Sequence, residues 1–397
     1  MMFKLQERIK ELAAQHLPKA IAIRRKIHEN PELSFKETET CQFICDELNS
    51  IGLNGFKKIG GTGIVLDIKG KNPESRYFAL RADIDALPIV EGTGVEYASK
   101  NEGKMHACGH DVHTTCLLGA AKILFDTREN WQGTIRCIFQ PGEELLPGGA
   151  SILIEAGVLE APQPLSIIGQ HVFPDLKAGE VGFRAGEYMA SADEIYMTVH
   201  GIGGHGAMPH KNIDPILIAS HIIIALQQIS SRNANPETPT VLSIGKIQGL
   251  GATNVIPSTV TLEGTFRTFD ETWRSLAHKL IQKTAQDIAK SMGGSCEVEI
   301  RKGYPVLKND EDLTEKVKKL AMSYLGADKV VDLSRRMTAE DFAYYTHKIP
   351  GSFYRLGTAS QDGQNTFPVH HPKFNIDESA LETGMGLMAW LAIGDQF

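Results

Sequence analysis

The segment Met105-His106-Ala107-Cys108-Gly109-His110-Asp111-Val112-His113-Thr114 is the densest chemical signal in the chain. Thiolate and imidazole are the ligand types that suit Zn²⁺ and its neighbours. Gly109 lets the backbone turn so that Cys108 and His110 can point at one place. A lone buried histidine is more often structural than a ligand, but three histidines and a cysteine within eight residues reverse that expectation.

A second signal, Gln140-Pro141-Gly142-Glu143-Glu144, follows directly on the apolar run Thr134–Phe139. Ligands of open α/β sheets bind in the crevice beyond the carboxyl ends of the strands, which puts this acidic pair at the edge of a site. Adjacent carboxylates point to different sides, so one can bind a metal while the other takes a proton from water. His171 closes the next apolar run, Leu165–Ile168 plus Gly169 and Gln170, and His370-His371-Pro372 sits in a Pro-flanked loop. Cys108, His110, Glu144, His171 and His370 then offer five ligands from four segments. That suits two metals sharing a ligand and exceeds what one closed structural zinc needs.

Two other readings fare worse. Gly201-Ile202-Gly203-Gly204-His205-Gly206 matches the spacing of a dinucleotide loop, yet Pro209 follows at once, the next helix starts only near Asp214, and no acidic residue lies about 20 positions on until Glu237. Cys108 as a nucleophile paired with His110 would leave the Glu-Glu pair, His171 and His370 without a task. Cys41 and Cys45, at helical spacing among apolar residues, read as core.

The elements that must position these groups alternate. A helical segment ends at Pro31, and Ser34 with Glu37 reads as a capping box for a helix over Thr38–Leu48. Strand patterns at Ile64–Ile68, Tyr77–Leu80, Thr134–Phe139 and Leu165–Ile168 alternate with helical ones at Thr114–Leu124 and Ala150–Ala156. The expected fold is α/β, a mostly parallel sheet carrying the metals. From about Gly182 the texture changes to strands at Ile195–Val199, Val241–Ile247 and Val260–Thr268 with helices at Pro215–Ile229 and Glu271–Ser291. A smaller α+β satellite domain, 183–299, is therefore expected as an insertion between 1–182 and 300–397, with a final helix over Glu378–Ile393.

Composition narrows the partners. Of 397 residues, 42% are hydrophobic and 22% charged, and 41 basic against 48 acidic residues leave a net charge of −7. No basic block could track a phosphate backbone, so nucleic acid is not an expected partner. The N-terminus lacks an apolar signal core, and the most apolar stretch, Ile216–Leu226, is broken by Ser220 and His221, so a cytoplasmic protein with no membrane span is expected. Six cysteines are too sparse for a disulfide scaffold.

Taken in order, these residues resemble the metal-dependent amidohydrolases of the M20 peptidase family, in the branch of hippurate hydrolases, N-acyl-amino-acid amidohydrolases and auxin-conjugate hydrolases. The resemblance runs through Arg24-Arg25-x-x-His28, Pro31-Glu32-Leu33-Ser34, Arg81-Ala82-Asp83-Ile84-Asp85-Ala86-Leu87-Pro88, the Cys108/His110 block, Glu143-Glu144 and His171. It continues through Gly203–His210, Asn254-Val255-Ile256-Pro257, Glu340-Asp341-Phe342 and His370-His371-Pro372.

The resemblance implies that Cys108, His110, Glu144, His171 and His370 hold two divalent ions (Zn, Mn, Co or Ni), with Cys108 as the bridge and Glu143 as general base. It selects His370 over His371 as the ligand. Where many members of the wider family carry a His-x-Asp ligand pair, this chain reads Asp83-Ile84-Asp85. The implied reaction is hydrolysis of the amide of an N-acyl amino acid, with dipeptidase or aminoacyl carboxypeptidase activity as the alternative. His205 would steady the developing oxyanion, and a homodimer is implied because the equivalent histidine of related enzymes reaches across one. Asn254 and Arg267 are the candidate donors to the substrate carboxylate. A purely metal-binding protein would have no use for the base at Glu143.

Overall fold

The computed structural model describes residues 2–362 and 367–394, and the chain divides into two compact units. The first comprises Met1–Tyr188, Lys308–Ser334 and Asp341–Phe397; the second comprises Met189–Leu307 and Arg335–Glu340. Residues 300–307 and 335–340 fall with the second unit for a packing reason, since Val306 and Met337 join Ala190 and Phe269 in one apolar cluster.

The first unit is built on an eight-stranded sheet in the order Lys57–Ile59, Gly63–Lys69, Thr134–Gln140, Tyr77–Asp83, Ile167–Lys177, Gly351–Ala359, Val181–Phe183, Val330–Asp332. Its four central strands are parallel, and the antiparallel pairings lie to either side of them. Helices α1 (Met2–His28), α2 (Thr38–Ser50) and α3 (His110–Asp126) and the C-terminal helix Ala380–Ile393 supply much of the core that packs against it. The mostly parallel α/β architecture expected from the alternation is present.

The details differ from expectation where side chains have other work. Strand Ile167–Lys177 starts later and runs further than the apolar run suggests, because Leu165 is 65% exposed and chain pairing continues past it. His171 therefore lies within the strand. The capping box at α2 is not formed: Ser34 Oγ donates to Asp85 Oδ2 (2.6 Å), and the Glu37 carboxylate accepts from Gly142 N (2.9 Å) and Thr62 Oγ1 (2.7 Å). Helix α3 begins four residues before the expected Thr114, which draws His110 and His113 into its first turn.

The second unit has its own core and a four-stranded antiparallel sheet in the order Thr240–Gln248, Thr259–Thr268, Asp193–His200, Ser295–Lys302, with helices Pro215–Gln228 and Glu271–Ser291. Strand Ser295–Lys302 escaped the sequence reading because its glutamates and basic residues mask the alternation. Among the described residues no helix is long and apolar enough to cross a membrane.

A buried ion network holds this unit together. Arg274, fully buried, donates through Nη2 and Nε to the two oxygens of Asp193 (2.5 and 2.9 Å), and His278 Nε2 lies 2.7 Å from Oδ2. Burial by itself would raise the Asp193 pKa, but the bonds from His278 and Arg274 outweigh it and hold the carboxyl below its ordinary value. Because the folded value lies below the unfolded one, this stability is complete above about pH 4 and is lost as pH falls through the folded value. Asp193→Ala is expected to cost up to about 3–5 kcal/mol at pH 7, since it strips the buried Arg274 and His278 of their shared carboxylate and leaves Arg274 only the partly exposed Glu271. Thermal unfolding followed from pH 7 to 3 checks this: the gap between wild type and variant narrows with acidification, and equal melting points at pH 7 would refute it.

Candidate metal centre

The carboxyl ends of the parallel strands converge. Asp83 pairs in register with Gln140 at the ends of their strands, and His171 pairs with Arg355 on the neighbouring pair. Asp83-Ile84-Asp85, Gln140–Glu144 and His171 thereby surround the start of α3. Gly109, just before α3, has φ +79°, and a Cβ there would lie 2.5 Å from Val172 Cγ2. Only glycine fits, and the left-handed turn brings Cys108 and His110 to one side.

The five candidate ligands meet. Cys108, His110 and His171 form one group of donor atoms within 4.8 Å of one another, and Cys108, Glu144 and His370 form another. Cys108 belongs to both, with Sγ 3.4 Å from His171 Nε2 and 3.3 Å from His370 Nε2. Glu144 Oε1 is 3.3 Å from His370 Nε2 and 3.9 Å from His110 Nε2. Glu143 joins His110 and Glu144 in a third group. His371 turns away, stacking on Phe367 with ring centroids 4.5 Å apart and accepting from Lys373 N.

The surrounding hydrogen bonds set which nitrogen faces inward. His110 Nδ1 donates to Asp85 Oδ1 (3.1 Å) and His171 Nδ1 to the Val172 carbonyl (2.8 Å), which turns each Nε2 inward. Asp85 also accepts from Glu144 N (3.0 Å) and Ser34 Oγ, so one carboxylate positions two candidate ligands. His113, a ligand candidate by type, has both nitrogens engaged: Nδ1 donates to Asp83 Oδ1 (2.5 Å) and Nε2 accepts from Val172 N (2.8 Å). Arg81 fixes Asp83, Gln140 and Asp341, and the Asp341 amide faces Glu143 Oε1 at 3.4 Å. His106 lies buried outside these groups, its pKa pushed down to about 4 by burial. These orienting roles of Asp83, Asp85 and His113 carry no local motif; the general need of a ligating histidine for an acceptor behind it is the one signal that points to them.

The donor set fits divalent cations. His110 Nε2 and Glu144 Oε1 are buried without a hydrogen-bond partner, a costly arrangement that a coordinated cation relieves. Burial, then the charges of Glu144 and Glu143, push the Cys108 thiol well above its usual range. Burial opposes charge on His110, yet Asp83 and Asp85 outweigh it and raise its pKa to about 10. Cations entering here displace protons from both groups, so binding strengthens as pH rises.

The remaining candidates belong to the second unit. His205 is exposed on a short strand pair with Val255, and its Nδ1 accepts from Ala207 N (3.1 Å), which leaves Nε2 carrying the proton. Asn254 is its neighbour, accepting from Gly206 N through its carbonyl (2.8 Å). Arg267 lies near the far end of strand Thr259–Thr268, donating to the Met337 carbonyl (3.0 Å). At about 3.3 Å per residue the strand runs roughly 25 Å from Thr259 to Arg267.

The model of peptidase family M20/M25/M40 matches residues 79–393. N-acetyl-L-cysteine deacetylase of Bacillus subtilis is 44% identical, over 91% of this chain and 84% of that protein. Thermostable carboxypeptidase 2 of Saccharolobus solfataricus is 39% identical over 94% of both chains. The crystal structure of Bacillus subtilis YXEP, described as a dinuclear metal-binding peptidase of the M20 family, superposes with a TM-score of 0.81 at 36% identity, covering 96% of this chain and 98% of that one. Converging donors and end-to-end similarity agree, and the chain belongs to peptidase family M20/M25/M40 as a metal-dependent hydrolase.

Proposed function

We propose that the chain hydrolyses N-acyl amino acids to a carboxylic acid and a free amino acid at a pair of divalent ions held by Cys108, His110, Glu144, His171 and His370. The observation that carries this reading is the sharing of Cys108 between two ligand groups with Glu143 alongside. When bound, the ions supply a water acidified to a pKa of roughly 7 and polarise the scissile carbonyl.

Glu143 takes a proton from the attacking water as its oxygen bonds to the carbonyl carbon, and returns that proton to the nitrogen as the C–N bond breaks. His205, with its proton on Nε2, is suited to donate to the developing oxyanion. Asn254 stands beside His205, and Arg267 is the alternative donor to the substrate carboxylate. A homodimer would let the two ends of the strand serve different centres. Its surface is the second unit's edge strand Thr240–Gln248 with exposed Ile247, and the exposed Ile216, Leu217 and Ile224 of helix Pro215–Gln228. All six cysteines are free thiols, in keeping with the reducing cytoplasm.

The carboxypeptidase relative favours peptides as a second reading. Assays with Mn²⁺, Zn²⁺, Co²⁺ and Ni²⁺ on N-acetyl amino acids and matched free dipeptides decide between them. The expected result is a kcat/KM for the N-acetyl substrates at least about tenfold higher, or ~1.4 kcal/mol of transition-state preference. A preference for dipeptides overturns the substrate, and no hydrolysis of either class overturns the reading.

A further inference from the structure

His370 adopts φ +66°, a left-handed conformation that costs a non-glycine residue on the order of 1–3 kcal/mol and persists only where its surroundings impose it. The His370 amide donates to the Ala107 carbonyl (2.8 Å), and the Pro372 carbonyl accepts from Gly92 N (2.8 Å). Further on, Phe374 is buried in the core with its amide donating to the His371 carbonyl (2.9 Å), and the Asp377 amide donates to the Thr358 carbonyl (2.9 Å).

Between those two anchors, at Asn375, the stretch is tied by a side chain outside the catalytic description. Arg24 on α1 is fully buried. Its Nε donates to Asp111 Oδ2 (2.8 Å), next to His110, and its Nη2 to Asn375 Oδ1 (3.0 Å), five residues after His370. The guanidinium packs over the Tyr97 ring at 5.0 Å, and Asn375 Nδ2 donates to the Tyr97 hydroxyl (3.2 Å). One rigid fork therefore spans two segments that are far apart in sequence and carry candidate ligands from the two groups that share Cys108. A lysine, with a single point charge on a flexible stem, cannot reproduce both bonds in fixed directions.

We propose that Arg24 is a positioning residue of the metal centre, which through Asp111 and Asn375 sets the His370 loop at its distance from Cys108 and His110. The proposal rests on the metal-centre reading above, and it separates Arg24 from a general stabilising role. If the fork sets His370, loosening it weakens one ion and spares the other.

Apo protein titrated with Co²⁺ against a competing chelator, with the thiolate charge-transfer band followed, gives both affinities without substrate. Removing the Asn375 arm alone keeps the buried Arg24–Asp111 pair and so keeps the fold. For Asn375→Ala the second equivalent is expected to bind about 10–100-fold more weakly, the range typical of lost outer-sphere support, while the first equivalent and its band hold. Asn375→Asp, which still offers an acceptor to Arg24, is expected to restore it, and Arg24→Lys to behave like Asn375→Ala. Exposed Arg8→Ala, on the same helix and paired with exposed Glu11, serves as the neutral control. Unchanged second-site affinity in Asn375→Ala, or equal weakening of both sites with a lowered melting temperature, overturns the proposal. A wild-type protein that takes up no second equivalent overturns the metal-centre reading itself.

Discussion

Glu143→Gln is expected to lower kcat by about 10²–10⁴ while two metal ions per chain remain bound. The substitution keeps the volume of a buried side chain and removes its capacity to carry a proton. Glu143 lies among His110 and Glu144 but is not needed to complete either group centred on Cys108. Kinetics and metal analysis on the same sample check both halves. A fall of less than about tenfold assigns the base elsewhere. The neighbouring Glu144→Gln gives the contrast, losing metal first, because Glu144 Oε1 faces His370 and His110.

Cys108→Ala is expected to bring metal content from two toward one or none per chain. Its sulfur is the sole atom common to both ligand groups, so its removal opens both at once. A thiolate between two cations also screens their mutual repulsion, which the remaining imidazoles cannot do. Metal analysis after dialysis reads the outcome. Full occupancy with activity abolished would instead support a nucleophilic role for Cys108.

The five candidate donors stand out in the sequence because their types are unusual and the segments that carry them are short. Cys108 and His110 stand within one turn, and Glu143-Glu144 follows a recognisable strand. The supporting shell was not legible in the same way. Ser34 and Glu37 have the local pattern of a capping box, yet tertiary partners at Asp85 and Gly142 outbid the helix end for their side chains. His113 is indistinguishable from a ligand by type, and only the amide of Val172 and the carboxylate of Asp83 show that both its nitrogens are spent. The link from Arg24 to Asn375 joins opposite ends of the chain, where no periodicity operates.

The order of strands in the large sheet also bears on how the enzyme is made. Strand Gly351–Ala359 fills the gap between Ile167–Lys177 and Val181–Phe183, so an early part of the sheet waits for a late part of the chain. His370 follows that strand. Between the synthesis of His171 and that of His370 a ribosome adds roughly 200 residues, on the order of 10–40 s at bacterial or eukaryotic rates. Throughout that interval the nascent chain displays a thiol, two histidines and two glutamates with the sheet still open. Ion capture on the ribosome would meet a partial set of donors, so loading with the correct pair is a task for the finished polypeptide. The second unit likewise waits for residues 335–340, although the core between its sheet and helices comes entirely from 189–307.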